Sequence, residues 1–138
     1  MIPEDVKSSE DLPALFADPE GYAAALKDFV GMFDREIYDV IVFCGTYSGP
    51  VAGSVASKMN KCILNASEVS AETLKGKEKA ILVCDELKSG ESQLKLIQKM
   101  ESLGCKVIRA GFVIERTACG ARKSKILKKY PFEALITI

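Results

Sequence analysis

The chain has 138 residues, 48% of them hydrophobic and 28% charged, as expected of one soluble domain spanning 1–138 with a real core. Its 19 Lys and Arg balance 19 Asp and Glu, so no overall field favours nucleic acid or an anionic membrane surface, and neither is expected as a partner. Five cysteines lack CxxC spacing and there is no histidine, so a zinc site would need an unusual ligand set; we expect no metal ligands, and reduced thiols in a cytoplasmic protein.

The opening MIPEDVKSSEDL is acidic and has no apolar core, so no signal peptide is expected, and no apolar run is long enough to cross a bilayer. Charge is uneven along the chain. Residues 1–20 carry Glu4, Asp5, Glu10, Asp11, Asp18 and Glu20 against Lys7, while 116–129 carry Arg116, Arg122, Lys123, Lys125, Lys128 and Lys129 without an acid. Two solvated faces are the plain reading; pairing of the two segments, within one chain or across a dimer, is the sharper one.

Asp18-Pro19-Glu20 predicts a helix start, with a capping carboxylate, Pro at the first helical position and an acid near the positive end of the dipole. Tyr22, Leu26, Phe29, Val30 and Phe33 follow as one apolar stripe over 19–33. Residues 38–44, YDVIVFC, read as a buried strand, and the Gly45-Thr46-Tyr47-Ser48-Gly49-Pro50 turn leads into a small-residue helix over 51–59. Residues 62–64 form a short strand and 81–84 another. A helix over 92–103 is closed by Gly104, and a strand runs over 106–114. A basic segment expected to be helical and a last strand over 132–138 complete the chain.

Strands alternating with helices predict an α/β fold, a mainly parallel sheet with helices on both faces. The strands at 40–43, 81–84 and 107–114 form its centre. Ligands in such folds bind at the carboxyl ends of the strands, here the Gly45–Pro50 and Asp85–Ser92 turns. Cys44 and Cys84 end strands that are neighbours in this architecture; a redox pair is open, and ordinary burial is the expectation.

The stretch from Ala80 to Ser92 is the most informative. An apolar strand runs into Asp85-Glu86 and then Lys88-Ser89-Gly90-Glu91-Ser92 ahead of a helix. Adjacent carboxylates suit ribose hydroxyls, and a Ser/Gly turn at a helix amino terminus suits a phosphate. A helix cap made by Ser89 or Ser92 is the competing reading, and the two are compatible.

This arrangement resembles the ribose-phosphate loop of the type I phosphoribosyltransferases, and the flanking segments resemble the adenine phosphoribosyltransferase branch. Leu15-Phe16-Ala17-Asp18-Pro19-Glu20-Gly21-Tyr22 is similar to that family's LLADPEAF. Residues 40–61 resemble its pyrophosphate-loop unit, 92–115 the helix and strand after its ribose-phosphate loop, and Gly120-Ala121-Arg122-Lys123 its GGRE segment. The resemblance implies a phosphoribosyltransferase-like, Rossmann-like sheet. It implies a ribose and phosphate site at Asp85, Glu86, Lys88, Ser89, Gly90 and Ser92, and a pyrophosphate-loop remnant at Thr46, Tyr47, Ser48 and Gly49. It implies Mg2+ if a phosphoribosyl pyrophosphate site survives, a nucleotide-like phosphorylated ligand, and a homodimer.

The chain departs from the family where the chemistry would be. The family's D-D-x-x-x-T-G-G-T is one residue shorter here, and Glu91 replaces its second glycine, putting like charge where a phosphate would sit. Ser48 stands where E-A-R-G-F has an arginine to neutralise departing pyrophosphate. Only fifteen residues, 65–79, occupy the place of the family's long closing loop. The family's adenine-stacking aromatic has no counterpart in Val6-Lys7-Ser8-Ser9-Glu10-Asp11. The expectation is therefore a catalytically impaired or silent relative that keeps a ribose-phosphate site or serves as a scaffold. The alternative is an active enzyme of purine salvage, making AMP from adenine and phosphoribosyl pyrophosphate.

Overall fold

A computed structural model describes residues 9–138. The acidic Glu4 and Asp5, Lys7, and the 6–8 part of the segment compared with the adenine-stacking aromatic lie outside the described residues. Within them, helices α1 (Leu12–Ala17) and α2 (Pro19–Phe33) precede strand β1 (Val40–Cys44), helix α3 (Ser48–Met59) and strand β2 (Cys62–Asn65). Strand β3 (Lys79–Leu87), helix α4 (Glu91–Ser102), strand β4 (Lys106–Glu115), the short helix α5 (Ala121–Ser124) and strand β5 (Phe132–Thr137) follow.

All five strands are parallel, in the order β2-β1-β3-β4-β5. The central strands are nearly all apolar because both faces are covered. Ile41, Ile81, Val83 and Val113 pack with Leu15, Phe29, Phe33, Val51 and Val55 of α1, α2 and α3. Val42, Leu82, Cys84 and Phe112 pack on the opposite face with Ile97 and Met100 of α4 and with Leu127. The expected parallel centre is present.

The start of α2 is as its sequence predicts: Asp18 Oδ1 accepts from the Glu20 N–H at 3.3 Å, and Pro19 is the first helical residue. Its buried line is rotated from the predicted stripe. Gly21, Ala25, Phe29 and Phe33 are buried, while Tyr22, Leu26 and Val30 are half-buried. Tyr22 leans towards α3, where its hydroxyl meets Ser54 Oγ at 2.6 Å and donates to the Pro50 carbonyl at 3.2 Å.

Two further expectations are corrected. Strand β3 does not stop before the acids but carries Asp85, Glu86 and Leu87 in register with β4, where Leu87 pairs with a buried Glu115. The basic segment is helical only at Ala121–Ser124, because Lys125 takes a left-handed conformation at φ 56° and breaks the helix. Its arginines are not a free basic face. Arg116 Nε donates to Glu86 at 2.6 Å, and Arg122 Nε donates to both oxygens of the buried Glu115 carboxylate at 3.0 and 2.9 Å.

The connector between β2 and β3 packs against the body of the protein. Val69 and Leu74 are buried in the core. Glu78 then gathers its own turn, accepting from the backbone N–H groups of Lys75, Gly76 and Lys77 at 2.7, 2.9 and 3.0 Å. These bonds, Lys75 foremost, hold its carboxyl below the ordinary value against a smaller opposing effect of burial.

A carboxyl titrating lower in the folded than in the unfolded chain stabilises fully above the unfolded value and loses that contribution as pH falls through the folded one. Glu78→Gln is expected to cost about 1 kcal/mol in urea unfolding at pH 7. The gap from wild type should close as pH drops below the unfolded glutamate value, 4.5. A gap of equal size at pH 7 and at pH 3 would contradict this role.

Candidate functional site

The site is built where β1 and β3 end side by side. Cys44 closes β1, and Gly45 turns the chain at φ 123° into Thr46 and Tyr47, ahead of α3. A Cβ on Gly45 would lie 2.5 Å from the carboxyl carbon of Asp85, so only glycine fits this turn. The cause of the close approach is the Asp85 side chain itself. Its Oδ1 accepts from the Ser48 N–H at 2.6 Å and its Oδ2 from the Tyr47 N–H at 3.1 Å. A carboxylate from β3 thus caps α3, which lacks a cap from its own side chains, at the positive end of the helix dipole.

Glu86 is held by cations. Besides the bond from Arg116 it has Lys88 Nζ at 3.6 Å, and its side chain is only 12% exposed. After Leu87 the chain turns through Lys88, Ser89 and Gly90 into α4. Gly90 sits at φ 90°, and a Cβ there would meet Ile126 at 2.7 Å. Ser89 Oγ accepts from the Glu91 N–H at 3.3 Å, so the capping reading of this turn holds.

These residues enclose a cavity of about 330 Å³ lined by Cys44, Cys84, Asp85, Glu86, Lys88, Ser89, Gly90, Ser92 and Gln93. Every residue of the ribose and phosphate set singled out in the sequence lines it. The pyrophosphate-loop remnant does not. Thr46 is exposed beside it, and Tyr47 stacks on Phe16 with ring centroids 5.3 Å apart. Ser48 is fully buried with its hydroxyl donating to the Gly45 carbonyl at 3.2 Å, and Gly49 lies against the Phe43 ring. A large cation has no room at position 48 without repacking α3. Glu91 is exposed in the first turn of α4 and does not itself line the cavity, although its neighbours Gly90 and Ser92 do.

The lining residues not singled out for this site are Cys44, Cys84 and Gln93. Cys84 and Gln93 are buried and hydrogen-bonded to each other, and Cys84 is also bonded to Cys44. The bond from Cys84 lowers the Cys44 thiol to about 6, against opposing effects of burial and of the Asp85 charge. Cys84 is pushed the other way, by its bond to Cys44 first and burial second. The placement of both thiols at adjacent strand ends was legible; their difference in acidity was not.

A larger cleft, about 800 Å³, opens towards the start of β4 and β5, beside Lys27, Asp28, Arg35, Glu36 and Glu133. Arg109 bridges Glu36 and Glu133 there, so its charges are largely compensated. It lies away from the carboxyl ends of the strands, where ligands of such sheets bind. Among the described residues no group of three or more Cys, Asp or Glu side chains is arranged to hold a metal ion, and no helix is long and apolar enough to cross a membrane.

No protein-family model matches the chain, and no curated protein matches it in sequence. Solved structures match in fold. An adenine phosphoribosyltransferase from Giardia lamblia, complexed with 9-deazaadenine, superposes with a TM-score of 0.81 at 17% identity over 93% of this chain and 85% of its own. Those from Leishmania tarentolae (0.80, 13%, 92% and 75%) and Thermoanaerobacter pseudethanolicus (0.79, 15%, 90% and 84%) are similar. The chain has the type I phosphoribosyltransferase fold. At these identities the likeness is one of fold.

Asp85→Ala leaves the Tyr47 and Ser48 N–H groups without their acceptor and is expected to cost about 2–3 kcal/mol in denaturant unfolding, with Asp85→Asn, which keeps one acceptor oxygen, costing less. A loss below about 0.5 kcal/mol for the alanine variant would show that the carboxylate does not hold α3.

Proposed function

We propose that this protein binds a small phosphorylated ribose ligand, of the nucleoside 5′-monophosphate class, and that it transfers phosphoribosyl groups slowly or not at all. The phosphate would be taken by the Lys88–Gly90 turn and Ser92 at the start of α4. A lysine, two serine hydroxyls and the amino end of a twelve-residue helix converge there on the cavity. The fold shared with adenine phosphoribosyltransferases supports this placement. So does the position of the cavity at the carboxyl ends of β1 and β3.

The observation that carries the second half of the reading is the double backbone hold on Asp85. A carboxylate whose two oxygens each accept a backbone N–H and which caps a helix is held in orientation and has half of its acceptor capacity left for ribose hydroxyls. Glu86, paired with Arg116 and Lys88, is similarly engaged. For the same reason the acidic pair does not fit a protein-held magnesium ion, which needs free oxygen ligands. Magnesium would enter only as the counter-ion of a pyrophosphate ligand. The other two supports are the buried, neutral Ser48 and the packed connector, which supplies no closing loop. An uncompensated leaving group and an open site each cost rate.

Calorimetric titration with AMP, adenine and phosphoribosyl pyrophosphate, each with magnesium, tests the reading. AMP is expected to bind with a sub-millimolar Kd, and Lys88→Ala to weaken it about tenfold, the worth of one charge-assisted contact. AMP formation from adenine and phosphoribosyl pyrophosphate should lie far below ordinary enzyme rates; turnover of about 1 s⁻¹ or more would establish the active enzyme instead. Silence towards all three ligands would favour a scaffold. Self-association as a homodimer belongs to the same proposal, and light scattering across protein concentration and salt tests it separately.

A further inference from the structure

Binding a phosphorylated ribose does not use the two thiols on the cavity wall. Cys44 and Cys84 are direct partners across the parallel β1–β3 pair, so their side chains leave the sheet on the same face. Neighbouring strands lie about 4.7–4.9 Å apart, inside the roughly 4.4–6.8 Å between Cα atoms that a disulfide spans. The two differ in access: Cys44 is exposed and Cys84 is buried behind it. Both open onto the same cavity, which gives a small oxidant a way in. The remaining cysteines lack this arrangement. Cys62 pairs with Val40 on the outer strand, Cys119 ends a short 3-10 helix (Thr117–Cys119), and Cys105 is buried after α4.

We propose that Cys44 and Cys84 form a hydroperoxide-reactive dithiol, with Cys44 the attacking sulfur and Cys84 the resolving one, closing a reversible disulfide across the floor of the cavity. The Cys44 thiolate attacks one oxygen of hydrogen peroxide. The O–O bond breaks, hydroxide leaves, and Cys44 becomes a sulfenic acid, its sulfur oxidised by two electrons as the peroxide is reduced. The Cys84 sulfur then attacks the Cys44 sulfur. The S–S bond forms, the S–O bond breaks, and the hydroxyl departs as water with the Cys84 thiol proton. A small thiol reductant restores both thiols by exchange.

The electrostatics supports this division of roles. The bond from Cys84 draws the Cys44 thiol down to about 6, so the accessible sulfur is the ionised one near neutrality. The charged groups sharing the cavity are Asp85, Glu86 and Lys88, and of these Asp85 opposes ionisation of both thiols. The largest cause keeping Cys84 protonated is its bond to Cys44. Conversion of Cys44 to a sulfenic acid removes that cause at the moment the second sulfur has to react. None of this depends on which ligand the cavity takes.

The test uses the full chain, treated at pH 6 with hydrogen peroxide near equimolar amounts, quenched, and mapped by non-reducing peptide mass spectrometry. The expected product has lost two hydrogens, carries a Cys44–Cys84 cross-link, and returns to the dithiol with dithiothreitol. Its initial rate should exceed that of an unstructured cysteine peptide about tenfold, the gain in thiolate fraction less the lower nucleophilicity of an acidic thiol. Cys44→Ser should abolish the cross-link, and Cys84→Ser should stop at a sulfenic acid on Cys44 that dimedone traps. If Cys84→Ser does not fold, the wild-type map and Cys44→Ser still decide. Oxidation of Cys62 or Cys119 as fast as Cys44, or over-oxidation of Cys44 with no link to Cys84, would overturn the proposal.

Discussion

The bond pair from the Tyr47 and Ser48 amides to Asp85 ties together most of what surrounds the site. It anchors the amino end of α3 to the carboxyl end of β3, and α3 packs in turn on β1 and the α2 side of the sheet. These two charge-assisted bonds and the helix dipole together account for the cost of about 2–3 kcal/mol expected when the carboxylate is removed. Gly45 follows from the same contact, since the carboxylate occupies the space where a Cβ would be. So does the inward turn of Ser48, whose amide is drawn to Asp85 while its hydroxyl closes on Gly45.

That constraint separates the two halves of the cleft. On the β1 side the loop is a helix start held from β3, with Tyr47 stacked on Phe16, Ser48 buried and no cationic side chain between Gly45 and Pro50. On the β3 side the Lys88–Ser92 turn remains open, with its serine hydroxyls and lysine at the rim of the cavity. The connector that could have closed over both is instead pinned by Val69, Leu74 and the Glu78 turn. An open turn on the β3 side, next to a β1 side taken up by the start of α3, is the physical content of the proposed loss of turnover.

The sheet was largely legible because its strands are continuous apolar runs bounded by turn chemistry, and because Asp18-Pro19 marks a helix start without ambiguity. Boundaries were less so where long-range contacts override local character. Asp85 and Glu86 read as loop acids, yet pairing with β4 carries the strand through them. The run of lysines after Arg122 reads as a helix, yet Lys125 turns left-handed as Ile126 and Leu127 pack onto the core. The residues of the Lys88 turn were legible as cavity lining. The partners of Asp85 were not, because Tyr47 and Ser48 lie far away in sequence and meet it only after two parallel strands have paired.

The central claim is that Asp85 belongs to the architecture of α3 rather than to a ligand. Amide hydrogen exchange at Tyr47 and Ser48, followed by NMR with and without saturating AMP, addresses it most directly. Both amides are expected to exchange slowly in the free protein and to keep that protection in the complex, while the amides of Ser89 to Ser92 respond to the ligand. Loss of protection at Tyr47 and Ser48 on binding would mean that the carboxylate had left them for the ribose, and would contradict the account.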